Sequence, residues 1–255
     1  MAFRLIGVRD EGPIRVVTLE RPEVRNAMSE QLMDELSQSL RGAESAGQRV
    51  LVVTGSGESV FCSGGDLKEF DALRTREAAM AMSLRMQRLV CAFRASPLVT
   101  IAALNGDAYG GGLEFALAFD MRVSASHARF GFLQVTLGIT PAWRGVSRLR
   151  ELVGRSSAML LLLTGERFDA QTAHRYGIVD RIAEGSALQA ARALAETIAS
   201  YPAAAVRIIK TMVDAQAGDD EASLDLEASR FSEAWLSDDH WDALARRYKR
   251  AAGPL

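Results

Sequence analysis

The segment Pro97–Asp120 constrains the fold more than any other part of the sequence. Leu98–Leu104 is an unbroken apolar run with β-branched residues, which is typical of a strand buried on both faces. A turn follows, and the three glycines 110–112 open an apolar segment that predicts a short buried helix over Leu113–Phe119. Glycines at a helix start leave backbone N–H groups uncovered, so that a ligand can approach closely.

Glu114 is the one charged residue inside this apolar segment, and Leu113 and Phe115 flank it. A buried carboxylate is costly unless it is paired, hydrogen-bonded or used in chemistry. This stretch alone therefore leaves two interpretations open. One is a catalytic centre, and the other is a tight glycine turn with a salt-bridged glutamate.

Composition excludes several classes of protein. The chain has 255 residues and is 48% hydrophobic, which is enough for a full core and an appendage. A formal net charge of -2, with mixed signs, favours neither nucleic acid nor a membrane surface as a partner. No apolar run has transmembrane length, and the first residues lack the apolar core of a signal peptide. Cys62 and Cys91 indicate neither a disulfide framework nor a metal site, so we expect a cytoplasmic protein without a metal.

The chain alternates predicted strands with predicted helices before it becomes purely helical. Ser29 is expected to cap one helix, and a second helix is predicted over Ala78–Ala95. A loop leads into a helix that we expect to end near Gly154, and the last predicted strand is Ile178–Ile182. This order predicts an α/β fold.

The same order predicts two regions, a core over 1–190 and a helical C-terminal region over 191–255. The second region carries large apolar side chains that need a partner surface. We expect these residues to bury their faces against a neighbouring subunit. They are Phe231, Trp235, Leu236 and Trp241.

A second glycine turn, Phe61–Asp66 (FCSGGD), also follows an apolar strand. With both turns present, the sequence resembles the crotonase family, the enoyl-CoA hydratase/isomerase superfamily, over nearly its whole length. The motifs, in family order and spacing, are 21–27 (RPEVRNA), 61–66 (FCSGGD), 105–114 (NGDAYGGGLE), 130–132 (FGF) and 176–179 (YGIV). They are specific for the fold and for acyl-CoA thioesters but not for one reaction.

The resemblance implies a spiral of ββα turns whose C-terminal helices build a homotrimer or a dimer of trimers. It implies an acyl-CoA substrate and no separate cofactor, since coenzyme A arrives as part of the substrate. The N–H groups of Gly65 and Gly111 would form an oxyanion hole for the thioester oxygen, and Glu114 would be the acid/base. The loss of one such donor typically costs about 10²–10³ in rate.

The resemblance also implies contacts with coenzyme A. These positions are Arg25, Ala27, Ser63, Asp66, Leu67, Lys68 and Lys249. Two of them have an alternative interpretation, because Asp66 could brace its turn and Lys68 could be an ordinary solvated lysine. Lys249 would reach the coenzyme A of a neighbouring subunit.

Gln134 departs from the hydratase pattern. Family hydratases use two glutamates, and the second one belongs where this chain has Gln134, in Phe130–Gln134 (FGFLQ). A carboxamide cannot exchange a proton at neutral pH and can only orient water or substrate. General acid–base groups contribute about 10²–10⁴-fold, so we expect weakened hydration and isomerisation unless Glu114 suffices alone.

The segment 141–145 (PAWRG) is a second departure, since many relatives have small residues there. Trp143 could wall the acyl pocket, and the Pro-x-Trp pattern is similar to ethylmalonyl-CoA decarboxylase-like members. Arg144 could bind a carboxylate bidentately or point to solvent. Decarboxylation of a malonyl-type thioester is therefore the alternative reaction, and a CoA-binding homologue with little turnover is the alternative class.

Overall fold

The structure is a computed structural model that describes residues 3–215, 229–232, 235, 238, 240 and 242. The chain divides into two compact units, 1–195 and 196–255. The sequence prediction placed the boundary after residue 190.

Ten short strands and eight helices form the described part of the chain. The strands are β1 (Ile6–Glu11), β2 (Ile14–Leu19), β3 (Val50–Gly55), β4 (Val60–Cys62), β5 (Val99–Leu104), β6 (Asp107–Tyr109), β7 (Met121–Ala125), β8 (Arg129–Gly131), β9 (Phe168–Asp169) and β10 (Arg181–Ala183). The helices are α1 (Glu30–Ser45), α2 (Leu67–Phe70), α3 (Arg76–Ala95), α4 (Gly111–Ala116), α5 (Gly145–Thr164), α6 (Ala170–Arg175), α7 (Ala187–Ala199) and α8 (Ala203–Asp214). Two 3-10 segments, Pro22–Val24 and Leu133–Leu137, complete the described elements.

Two sheets form the framework of the first unit. The larger sheet has the order β1-β2-β3-β5-β7-β10, and the smaller has the order β4-β6-β8-β9. All pairings are parallel except β1 with β2 and β8 with β9. Every residue of β3 and β5 is buried, as expected for apolar strands at the centre of a parallel sheet.

The smaller sheet brings the two glycine turns together. β4 and β6 are parallel, with Cys62 paired to Ala108, so the turns that follow them leave the sheet at the same edge. Gly112 then packs so closely on β4 that any side chain at this position would overlap the Cys62 carbonyl. The first turns of α4 and the loop 63–66 are therefore direct neighbours.

The predicted Ser29 cap is confirmed, whereas the start of the second predicted helix is shifted. The Ser29 hydroxyl accepts a hydrogen bond from the Leu32 N–H at 3.1 Å and caps α1. Asp169 caps α6 in the same way through Thr172. α3 begins two residues earlier than predicted, because Thr75 rather than a later residue provides its cap.

Three predicted boundaries are wrong. α4 covers Gly111–Ala116 rather than 113–119, because the helix begins within the glycine run. α5 does not end near Gly154: the backbone breaks there at φ 75° and ψ 170°, and the helix resumes up to Thr164. The last strand is β10, displaced toward the C-terminus from the predicted 178–182.

The second unit is described only in part. α8 lies in it, and Phe231 and Trp235 are exposed with their rings 5.5 Å apart. Leu236 and Trp241 lie outside the described residues. In the described ranges, no helix is both long and apolar enough to cross a membrane.

Candidate active site

Each of the two glycine turns contains a backbone N–H group without an acceptor in the described structure. The Met28 N–H donates to the Gly64 carbonyl at 2.8 Å, and the Asp66 N–H donates to the Met28 carbonyl at 2.9 Å. Gly65 lies between the two residues that make these bonds and is itself bridged to Met28. Gly111 is the first residue of α4, so its N–H has no acceptor within that helix. In the part of the chain that the structure describes, neither the Gly65 N–H nor the Gly111 N–H has a hydrogen-bond acceptor.

Glu114 lies one turn into α4 and is only 2% exposed. Its Oε2 accepts the N–H groups of Trp143 and Gly145, both at 2.8 Å. Its Oε1 accepts Gln134 Nε2 at 2.8 Å and the Ala142 N–H at 3.3 Å. A carboxylate has about four acceptor positions, and all of them are used here. The salt-bridged alternative does not describe this site, because the four donors are uncharged amides.

The protonation of Glu114 reflects its burial. Desolvation raises the pKa of the Glu114 carboxyl above its ordinary value, and the hydrogen bonds from Trp143, Gly145, Ala142 and Gln134 offset only part of this rise. A carboxyl group with a raised pKa can take up and release a proton closer to neutral pH than an exposed glutamate does.

Gln134 lies in the 3-10 segment that follows β8, and it is buried beside Glu114. Its Nε2 is used by Glu114, whereas its Oε1 is buried and has no hydrogen-bond partner in the described structure. The Oε1 atom lies about 4.0 Å from the position that a side chain at Gly110 would take. An unpaired buried carbonyl next to the glycine turn is an acceptor that a water or substrate donor would satisfy.

The indole of Trp143 covers both glycines. Trp143 is 4% exposed, and a side chain at Gly111 would overlap its six-membered ring, with Cη2 at 2.7 Å. The same Cη2 lies 3.5 Å from the corresponding position on Gly65, whose other neighbour is the ring of Phe70 at 2.8 Å. Aromatic rings therefore lie against the two glycines, and an apolar neighbourhood strengthens hydrogen bonds made close to it.

The peptide group between Ala142 and Trp143 ties this loop to two elements. Its N–H donates to Glu114, and its carbonyl accepts from Ser83 Oγ at 2.8 Å and Gln87 Nε2 at 3.1 Å. In a trans peptide these two groups point in opposite directions. Glu114 and the α3 residues therefore hold the loop from opposite sides.

Arg144 lies in a different environment from Trp143. It adopts a left-handed conformation with φ 69°, is exposed, and lines a cavity of about 500 Å³ together with Ser83 and Gln87. Neither Gly65 nor Gly111 lines this cavity. The suggested carboxylate contact of Arg144 stays a prediction.

The positions assigned to coenzyme A lie beside the first glycine turn. The Ser63 N–H donates to the Arg25 carbonyl at 3.1 Å, which aligns the loop after β2 with the loop after β4. Arg25 is exposed with φ 58°, whereas Ala27 is buried. Leu67, at 63% exposed, and Lys68 project to solvent from α2. Lys249 lies outside the described residues.

Asp66 braces its turn. It accepts the N–H groups of Lys68 and Glu69, and it forms an ion pair with Arg21 at 2.8 Å. Burial raises the pKa of Asp66, but the bonds from Arg21 and the two N–H groups outweigh this and hold it below its usual range. Its direct contact with a substrate stays a prediction.

The sequence analysis missed the backbone donors of Glu114. The N–H groups of Ala142, Trp143 and Gly145 carry no signature in their side chains. The available signal was Gly145 itself, because a side chain there would overlap Glu114. In the described residues, no group of three or more His, Cys, Asp or Glu side chains is placed to hold a metal ion.

Comparisons with known proteins place this geometry in a family. A model of the enoyl-CoA hydratase/isomerase family matches residues 9–247. A short-chain-enoyl-CoA hydratase from Clostridium acetobutylicum is 34% identical over 250 residues, which cover 96% of this chain and 94% of the relative. Enoyl-CoA hydratase domain-containing protein 2, mitochondrial, from Homo sapiens is 37% identical over 217 residues, or 83% of this chain and 74% of the relative. The crystal structure of an enoyl-CoA hydratase from Bacillus anthracis superposes with a TM-score of 0.90 at 31% identity and covers 97% of both chains.

The architecture is thus the α/β crotonase fold, which defines a class of acyl-CoA enzymes. The chain belongs to the enoyl-CoA hydratase/isomerase family. The predicted fold class and the predicted enzyme family are both confirmed.

Proposed function

We propose that this enzyme works through a thioester enolate held by the N–H groups of Gly65 and Gly111. The observation that carries the proposal is that both groups lack an acceptor in the described structure, belong to glycines that one indole contacts, and neighbour a buried carboxylate. Preorganised amides stabilise negative charge where it develops, and they act most strongly where water is excluded. An enolate oxygen is the charge that this pair of donors fits.

Glu114 would move the proton. Its shortest bonds, at 2.8 Å, come from Trp143, Gly145 and Gln134, and its longest, at 3.3 Å, comes from the Ala142 N–H. The longest bond is the weakest, so an incoming donor replaces Ala142 at Oε1 most readily. Proton transfer to and from the acyl group or water would then occur at that oxygen.

Gln134 would orient the water or the acyl group. Its Nε2 fixes Glu114, and its unpaired Oε1 accepts a hydrogen bond from the reacting water. Because this side chain supplies no proton, Glu114 has to serve as both acid and base. Hydration would therefore be slower, by about 10²–10⁴-fold, than with two proton-exchanging groups.

The test is hydration of crotonyl-CoA, followed as loss of enoyl absorbance, for the wild type and for Gln134→Glu. We expect slow wild-type turnover and a gain of about 10²-fold or more in the variant. Gln38→Glu makes the same change on the exposed surface of α1 and is the matched control, for which we expect no change. Fast wild-type hydration would contradict the role given to Gln134. Binding of acyl-CoA without any turnover would contradict the enzymatic proposal and favour a binding protein.

Decarboxylation of a malonyl-type thioester is the second candidate. The observation that favours it is that all acceptor positions of Glu114 are filled while the two free N–H groups stand among aromatic rings. Loss of CO₂ generates the same enolate and needs no base to start. Release of CO₂ from methylmalonyl-CoA, at a rate above wild-type hydration, would make decarboxylation the main reaction.

Three further predictions stay proposals. The family resemblance supports a homotrimer or a dimer of trimers, and sedimentation of the purified chain would distinguish these states. The mixed surface charge argues against a nucleic-acid partner. A cytoplasmic location rests on the cysteine usage alone.

A further inference from the structure

The position of Trp143 has a consequence for substrate size. Its ring packs on Gly111 and reaches Gly65 through Cη2, so one side chain lies against both glycines that carry the free N–H groups. A thioester oxygen that accepts both N–H groups lies about 2.9 Å from each nitrogen. The acyl carbons that follow the carbonyl are then only a few bond lengths from the same two glycines, against which the indole packs.

The backbone that carries the indole is also held in place. The backbone N–H of Trp143 donates to Glu114 at 2.8 Å, and the carbonyl of the preceding residue accepts from Ser83 and Gln87. Moving the ring by shifting the backbone would break these bonds and leave buried polar groups unpaired. At Gly65 the ring of Phe70 also limits the space, since it would lie 2.8 Å from a side chain there.

We propose that Trp143 is the specificity-determining residue of this site and restricts the acyl group to short chains. This inference rests on the proposed function, because it takes the two N–H groups as the binding site of the thioester oxygen. A long straight acyl chain would have to displace the indole, whereas an acyl group of about four carbons would pack against it.

Binding of saturated thioesters tests the inference without any turnover. Calorimetric titrations with free coenzyme A, butyryl-CoA and decanoyl-CoA give three affinities for each protein. In an open apolar pocket, each added methylene strengthens binding by about fourfold. For the wild type we expect decanoyl-CoA to bind no more tightly than butyryl-CoA. In Trp143→Ala, decanoyl-CoA should gain at least about tenfold relative to butyryl-CoA, while the affinity for free coenzyme A stays the same.

Trp143→Phe keeps an aromatic ring of smaller size and should give an intermediate ratio. If Trp143→Ala does not fold, Trp143→Phe still tests the proposal, because the comparison of affinity ratios with the wild type needs only one folded variant. Tighter wild-type binding of decanoyl-CoA, with a ratio unchanged in either variant, would overturn the role of Trp143 while leaving the proposed function intact. Failure of the wild type to bind any of the three probes would overturn both.

Discussion

The substitution Gly145→Ala adds a single methyl group and tests whether Glu114 organises the loop 142–145. Gly145 is the first residue of α5, and its N–H donates to Glu114 Oε2 at 2.8 Å. A β-carbon built on Gly145 would overlap Glu114 Cγ and would lie 2.6 Å from Oε2 and 2.8 Å from Cδ. Because the backbone of Gly145 is not in the left-handed region, the penalty for Gly145→Ala comes from this contact alone.

The loss of free energy of unfolding in Gly145→Ala has two contributions. Overpacking a buried site costs about 1–3 kcal/mol. If the contact also pushes the Gly145 N–H away, the loss of a hydrogen bond to a charged group adds about 1.5–3 kcal/mol. We therefore expect Gly145→Ala to lower the free energy of unfolding by about 2–5 kcal/mol. In a chain of this length, that corresponds to a fall in Tm of about 5–15 °C.

A double-mutant cycle with Glu114→Ala isolates the contact. Without the glutamate side chain the three nearest contacts of the new methyl group are gone, so Gly145→Ala should cost much less in that background. Urea unfolding followed by circular dichroism, at one fixed protein concentration, measures all four proteins. Gly185→Ala is the matched control, because its β-carbon would meet nothing within 4 Å. An equal cost of Gly145→Ala in both backgrounds would refute the reasoning.

Two further predictions concern titration. The raised pKa of Glu114 should place the acid limb of the pH profile of kcat/KM above the ordinary pKa range of a glutamate. Glu114→Gln should abolish that limb, and an unchanged limb in this variant would assign it to another group. The same shift makes the free energy of unfolding fall as pH rises, because the unfolded chain loses this proton at a lower pH than the folded chain. The stabilisation is therefore greatest below the ordinary pKa of a glutamate and declines as pH rises to the raised pKa. Burial raises the pKa of the Cys62 thiol to about 11, whereas Cys91 is exposed. Iodoacetamide at pH 8 should therefore modify Cys91 only, as mass spectrometry of digested peptides would show, and rapid modification of Cys62 would contradict its burial.

The central strands and caps were predictable because their signals are local. The apolar runs of β3 and β5 and the Ser29 cap each depend on a few consecutive residues. The three-residue strands β4, β6 and β8 gave no such signal, because their partners are distant in sequence and each strand forms only through the pairing. The break at Gly154 was taken as a helix end, since sequence alone does not distinguish a terminal glycine from an internal one with φ 75°.

The candidate site was predictable in its side chains and in its two glycine N–H groups, but not in the donors that hold Glu114. The family resemblance implied that Glu114 and Gln134 would face one centre, and their side chains lie 2.8 Å apart. The three N–H groups that hold Glu114 were not predictable, because backbone donors depend on the path of the loop rather than on residue type. The position of Trp143 over Gly111 depends on the same path.

Glu114 thus has two proposed roles, since it moves the proton and holds the loop 142–145. These two roles determine which substitutions are informative. Any change at Glu114 also releases the loop that positions Trp143, so a loss of activity there does not separate proton transfer from packing. Gln134→Glu keeps the shape of the side chain and replaces the Nε2 donor with an ionisable oxygen. The introduced carboxylate would lie about 2.8 Å from Oε1 of Glu114, and repulsion between two carboxylates at such a distance raises the pKa of one of them. The carboxyl group with the raised pKa is the proton donor that hydration otherwise lacks, so the gain expected in this variant has its origin in the pair rather than in either residue.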